Sequence, residues 1–239
     1  MFTDSHAHLT FDTLYENVEE ILKRAKDAGV NRIFNICTDI KTAERGIELA
    51  AKHDYIHNIG ATTPHDVEKE GEEHFPYFEK LAKEGSLVAV GETGLDYYYE
   101  HSKKSLQKKF LIKYFHLARE TNLPVVIHCR DAFDDLFEIA DAEFANSEKA
   151  LDRGYYVSFS GIATFKKSEG LREAASYVPL DQMLIETDSP YLAPQSKRGK
   201  VNEPAYLKET AEMLAILKGV SLEDFAKITS QNASFVFGV

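Results

Sequence analysis

The chain has 239 residues, 44% hydrophobic and 28% charged, which excludes a disordered or collagen-like protein and supplies one sizeable core. Asp and Glu number 39 against 28 Lys and Arg, a formal charge of −11. That charge disfavours coating nucleic acid by bulk attraction, though a local basic patch stays open. Cys37 and Cys129 each sit in an apolar run without metal or redox spacing, which suits a reducing, cytoplasmic setting. Asp4 and His6 interrupt the opening residues, so no targeting leader is expected, and the longest apolar stretches are only strand-length. The expectation is a monomer that makes no use of a membrane.

In chain order, runs rich in Val, Ile, Leu and Phe occupy residues 2–5, 31–36, 56–60, 87–91, 124–128, 155–159 and 182–186. They read as strands buried on both faces. Between them, Val18, Ile21, Leu22 and Ala25 share one helix face, with Gly29 as a stop signal. Leu106, Phe110, Ile112, Phe115 and Leu117 belong to a long helix ahead of Asn122 and Pro124. Residues 206–217 and 221–235 read as closing helices, the second with a capped start at Ser221, Glu223 and Asp224. Residues 189–204 form a long irregular segment, rich in Pro, Lys and Arg and too charged for core. Repeated βα units predict an α/β fold, a parallel sheet with helices outside it, as one domain over residues 1–239.

In parallel barrels the reactive groups gather at the carboxyl ends of the strands. Here those ends carry Asp4-Ser5-His6-Ala7-His8, Gly91-Glu92, His128 and Glu186-Thr187-Asp188. His6 and His8 lie two apart, so in an extended strand both rings project to one side and can chelate one divalent ion. The plainer alternative is a pair of solvated histidines. Glu92, flanked by Gly91 and Gly94, can bridge two ions through its two oxygens, or can simply start a helix. His128 reads alone as a core histidine, but its neighbours Arg130 and Asp131 point elsewhere. Arg130 offers a fork for phosphate, and Asp131 can cap a helix or orient a ring. Asp188 can ligate a metal and accept a proton from an attacking water, or form a turn before Pro190. Each signal is weak alone; their joint placement at strand ends is not.

These stretches resemble the TatD-type metal-dependent DNases of the amidohydrolase-like TIM-barrel superfamily. The resemblance is carried by Asp4-Ser5-His6-Ala7-His8-Leu9, Gly91-Glu92-Thr93-Gly94-Leu95-Asp96-Tyr97 and Pro124-Val125-Val126-Ile127-His128-Cys129-Arg130-Asp131-Ala132. It continues in Tyr156-Val157-Ser158-Phe159-Ser160-Gly161, Glu186-Thr187-Asp188-Ser189-Pro190-Tyr191-Leu192-Ala193-Pro194 and Arg198-Gly199-Lys200-Val201-Asn202-Glu203-Pro204, almost end to end. It implies a TIM-type (β/α) barrel with one or two divalent ions (Mg²⁺, Mn²⁺ or Zn²⁺) that hydrolyses phosphodiester bonds in DNA, trimming single-stranded or 3′ ends. By position, His6, His8, Glu92 and Asp188 hold the first ion, and Glu92 bridges to a second that His128 also binds. The resemblance implies Asp188 and Glu92 as the catalytic carboxylates.

One departure stands out. The family pattern carries a further strand ending His-Cys-Phe-Ser/Thr-Gly, whereas here the helical run 131–144 passes almost directly into Ala145-Asn146-Ser147. One barrel strand is therefore missing after Phe144, and no histidine follows His128. Deleting an interior strand would leave its neighbours' backbone groups unpaired, a large cost. A break in the sequence near Phe144 and Ala145 is accordingly favoured over a genuine seven-stranded protein, and an intact mass well above 27.0 kDa would establish it. With a true deletion the second ion keeps only Glu92 and His128 and should bind weakly.

An acidic protein acting on DNA needs local cations, and Arg130, Lys166, Lys167, Lys197, Arg198 and Lys200 follow the site-bearing strands. Arg130 and Arg198 are the expected phosphate contacts, while Phe165, Tyr97 and Tyr191 either stack on bases or pack. The alternatives are a metallohydrolase of a small amide or lactone, which would not need the basic loop, and a catalytically impaired barrel.

Overall fold

The structure, a computed structural model, describes residues 1–144 and 155–239. Among these residues the chain forms β1 (Phe2–Ala7), α1 (Asp12–Tyr15), α2 (Val18–Asp27), β2 (Val30–Cys37), α3 (Ile40–Lys52), β3 (Ile56–Gly60), α4 (Gly71–Lys83) and β4 (Ala89–Asp96). There follow α5 (Lys104–Thr121), β5 (Val125–Arg130), α6 (Phe133–Phe144), β6 (Val157–Phe159), α7 (Glu169–Tyr177), β7 (Met183–Ile185), α8 (Leu207–Lys218) and α9 (Leu222–Phe237). All seven expected strands are present, alternating with helices as the sequence predicts. No helix among the described residues is long and apolar enough to cross a membrane. The place after Phe144 where a barrel strand is expected to be missing, residues 145–154, lies outside the described residues.

The chain divides into two compact units. The first comprises Met1–Asn35, Leu49–His57 and Tyr155–Val239. Its β1 is buried at all six positions and pairs in parallel with β2, Asp4 opposite Ile33 and Ala7 opposite Asn35. β6 and β7 form a second parallel ladder, and a bridge between Ala7 and Ser189 ties the chain after β7 to the end of β1. The core gathers Phe2, Leu9, Leu22, Ile33, Ile185, Leu207, Leu214 and Phe225. α2 enters it through Val18, Ile21, Leu22 and Ala25, all buried, while Glu19 and Glu20 open the helix and Arg24 and Lys26 close it as its dipole favours. Each such buried Ile or Leu contributes roughly 1.5–3 kcal/mol. α9 starts as expected, the Ser221 hydroxyl accepting from the Asp224 backbone N–H at 3.0 Å.

The second unit comprises Ile36–Glu48 and Asn58–Gly154. Phe78, Leu87, Val90, Phe110 and Tyr114 fill one cluster, and Leu95, Leu111, Phe115 and Leu136 another. β4 pairs in parallel with β3 and with β5. Two expectations are corrected here. The strand placed at 87–91 begins at Ala89 and runs on through Asp96, so Glu92 lies within a strand instead of following one. The reason is at Gly94, where an added Cβ would stand 1.9 Å from the His128 carbonyl oxygen; only glycine lets β4 stay paired with β5 there. In the first unit, the irregular segment 189–204 contributes to the interior after all: Ser189 and Asn202 are fully buried and Ala193 nearly so, while its charged tip, Arg198 to Lys200, is exposed.

Candidate metal centre

In the first unit the main chain assembles a three-residue donor set. His6 and His8, alternate residues at the end of β1, point to one side as extended backbone requires, and both are buried. The Asp188 backbone N–H donates to the His6 carbonyl at 2.9 Å, and the His8 N–H donates to the Ser189 carbonyl at 2.8 Å. Those two bonds hold Asp188 alongside the histidine pair. As a result the two Nε2 atoms lie 3.3 Å apart, and Asp188 Oδ1 stands 3.6 Å from His6 Nε2 and 3.4 Å from His8 Nε2. Asp188 has φ +55°, a left-handed conformation that Asp tolerates better than most residues.

Beneath this set lies a further carboxylate, Asp4, for which no role was expected. Asp4 is fully buried and accepts from the Thr187 hydroxyl at 2.6 Å, the Thr187 N–H at 2.9 Å and the His6 N–H at 3.3 Å. Burial pushes its carboxyl up to about 7 against these hydrogen bonds. From the other side Asn202 donates to the Thr187 and Tyr191 carbonyls at 2.8 and 2.6 Å. Glu203 next to it is held by Arg24 at 2.6 Å. The chain from Thr187 to Tyr191 is thus clamped by Asp4 and Asn202.

The second unit builds its set from side chains. The β4–β5 register places Gly94 opposite His128 and Asp96 opposite Arg130, with an irregularity between Val90 and Thr93 that re-aims Glu92. His128 then lies between two carboxylates, Nδ1 3.1 Å from Glu92 Oε1 and Nε2 2.9 Å from Asp96 Oδ2. Burial pulls the ring down, but Glu92 and Asp96 outweigh it and the His128 imidazole is raised. Burial opposes the charge of Asp96, yet the Tyr99 N–H and His128 hold its carboxyl below the usual range. His65 Nε2 is 3.6 Å from the same Asp96 oxygen, and burial and nearby His128 lower its imidazole. Arg130 lies over the rings of Tyr98 and Tyr99, at 4.0 and 4.6 Å.

Of the other cations, Arg198 lies in the first unit, exposed, with its guanidinium 4.6 Å from the Phe165 ring centre. Tyr97 packs beside Leu95 and Phe115 and donates to Asp135 at 2.6 Å, so it serves the structure. Tyr191 is 53% exposed beside His8 and Phe11 and stays available to a ligand.

Comparison with known proteins decides the family. A family model described as TatD related DNase matches residues 3–238. The chain belongs to the TatD-related DNase family. It is 37% identical to the uncharacterized metal-dependent hydrolase YcfH of Escherichia coli (strain K12), over 99% of this chain and 95% of that one. It is 35% identical to the uncharacterized metal-dependent hydrolase YabD of Bacillus subtilis (strain 168), over the full length of both. Among solved structures, YJJV, a TatD homologue of Escherichia coli k12, matches with a TM-score of 0.91 at 24% identity, over 100% of this chain and 98% of that one. A TatD family hydrolase of Entamoeba histolytica matches with a TM-score of 0.85 at 21% identity, over 99% and 97%. The fold is the parallel-stranded α/β fold of the TatD TIM barrels, and this TatD-family chain is a metal-dependent hydrolase. Its alignment with YcfH spans 260 positions, yet the chain has only 239 residues, so the relative carries interior residues with no counterpart here.

The donor sets suit the divalent ion that such a hydrolase requires. Two imidazole nitrogens and a carboxylate oxygen converge in one unit, and a histidine between carboxylates stands in the other; mixed N and O donors of this kind fit a divalent metal ion. Sequence reasoning missed Asp4, Asp96, His65 and Asn202. Asp96 lies four residues after Glu92 and shares its face, a relation that shows only once β4 is seen to run on past Gly94.

Proposed function

We propose that this TatD-family enzyme is a deoxyribonuclease that shortens single-stranded DNA from its ends, the whole chain acting as one monomeric catalytic domain. The observation that carries the reading is the buried His6, His8 and Asp188 donor set, in a chain matching a DNase family almost from end to end. His6, His8 and Asp188 would hold one divalent ion, and Glu92 with His128 a second. When bound, such an ion polarises a phosphoryl oxygen and makes water more acidic. The chain's own groups do the rest. The Asp188 carboxylate, beside His6 and His8, accepts the proton of the attacking water. Arg130 and Arg198 are the phosphate contacts of their units, which supplies the local positive charge that an acidic protein needs. Phosphate-directed contacts of this type give little sequence preference. Free thiols at Cys37 and Cys129 support a cytoplasmic setting.

The test is hydrolysis of an end-labelled single-stranded oligonucleotide with Mg²⁺ or Mn²⁺, run beside Glu92→Gln. Metal-dependent shortening that disappears in the variant is expected; no shortening above the variant's background overturns the reading.

A further inference from the structure

We propose that Asp96 is the positioning residue of His128: it accepts the Nε2–H hydrogen bond and so leaves the Nδ1 lone pair as the atom offered to a metal ion. The inference rests on the reading of His128 as a ligand, and it names what makes that histidine one.

Glu92, Gly94 and Asp96 share one face of β4, and Gly94 permits the close approach that brings His128 between the two carboxylates. The carboxylates are not equivalent. The Asp96 side chain is 1% exposed and that of Glu92 17%. Asp96 Oδ1 accepts the Tyr98 and Tyr99 backbone N–H groups at 3.0 and 2.8 Å, which leaves Oδ2 to His128 Nε2 at 2.9 Å. Its main chain is fixed as well, the N–H donating to Gln107 Oε1 at 2.7 Å and the carbonyl accepting from Gln107 Nε2 at 3.1 Å. A neutral imidazole has one proton and one lone pair. The proton belongs on the side of the acceptor that is buried and immobile, because an unpaired buried carboxylate oxygen is costly. Nδ1, 3.1 Å from Glu92 Oε1, then shares with Glu92 the side on which an ion would sit.

The same atoms admit a rival arrangement. His65, Asp96 and His128 lie close enough to hold a cation among themselves. Such an ion would need the Nε2 lone pair, and a ring that also served Glu92's ion through Nδ1 would have to give up its one N–H proton and become an imidazolate. A carboxylate already accepting two backbone N–H groups is also a weaker ligand than a free one. The orienting role needs neither concession.

Asp96→Asn separates the alternatives. The Tyr98 and Tyr99 N–H groups need an acceptor, so the amide oxygen must face them and the amide NH₂ must face His128. A donor opposite Nε2 forces the neutral ring's proton onto Nδ1. In metal-free protein at alkaline pH, ¹⁵N NMR is expected to find His128 protonated on Nε2 in the wild type and on Nδ1 in the variant. A wild-type ring protonated on Nδ1 overturns the proposal without any variant. With Mn²⁺ or Zn²⁺ as probe, calorimetric titration should show the second equivalent weakened about 10–100-fold by Asp96→Asn and the first unchanged. His128→Ala keeps the two readings apart. If it leaves the second equivalent untouched, His128 is not a ligand and the reading of the site fails. If it weakens that equivalent while Asp96→Asn does not, the site stands and the positioning role alone is overturned.

Discussion

The two histidine–carboxylate groups reach similar ligand geometry by different means. In the first unit the main chain does the placing: hydrogen bonds from Asp188 to His6 and from His8 to Ser189 set the donors, and buried Asp4 clamps the chain from below. In the second unit, side chains do it: His128 is aimed by Asp96, and Asp96 by the Tyr98 and Tyr99 N–H groups. Their settings differ too. β1 is buried at all six positions, whereas β5 is half-buried at all six. A main-chain scaffold tolerates exchange of one ligand without moving the others. An orientation that depends on one carboxylate is lost when that carboxylate changes.

The largest effect expected from this contrast is on turnover. Asp188→Asn should lower oligonucleotide hydrolysis about 10²–10⁴-fold, the range of a lost general base, while the urea midpoint stays near wild type because the backbone bonds of residue 188 survive. A collapse of stability instead would show that the first unit also relies on side chains.

Next comes the pH dependence of Asp4. Its folded carboxyl stands at about 7 against an ordinary 3.8, so between those values the folded state retains a proton that the unfolded chain releases. Stability from this group is therefore greatest below pH 3.8, falls as pH rises, and is fully lost above about pH 7. The swing is on the order of 4 kcal/mol. Urea unfolding of metal-free protein from pH 4 to 8 should show it in the wild type and a flatter profile in Asp4→Asn. Equal profiles would remove Asp4 from the clamp.

In the second unit, Gly94→Ala places a Cβ where the His128 carbonyl stands. It should cost about 3 kcal/mol by forcing β4 and β5 apart, and weaken the second metal equivalent with it. Weakened metal binding without loss of stability would mean that the strands yield locally. The smallest effect falls on Arg130→Ala, which should weaken single-stranded DNA binding about tenfold and reduce the salt dependence by about one phosphate contact. An unchanged salt slope would confine Arg130 to its packing on Tyr98 and Tyr99.

Much of this was legible in the residues. Val18, Ile21, Leu22 and Ala25 announced one buried helix face, and Ser221 a cap, because helix periodicity and capping are local properties. His6 and His8 could be paired from their spacing, since alternate residues of a strand share a side. The limits of β4 could not be read locally: Gly91 and Gly94 look like a turn until β5 lies beside them. Nor could the burial of Ser189 and Asn202, which charged neighbours disguise.

The sequence by itself determined the order of elements, the parallel α/β class and the residue types at the strand ends, because these follow from periodicity and from side-chain chemistry. Tertiary structure alone decided that Asp4, nearly two hundred residues from Thr187, holds the chain bearing Asp188, and that Asp96 holds His128. Those pairings depend on strand register, and register is set by packing between segments that the chain order leaves far apart.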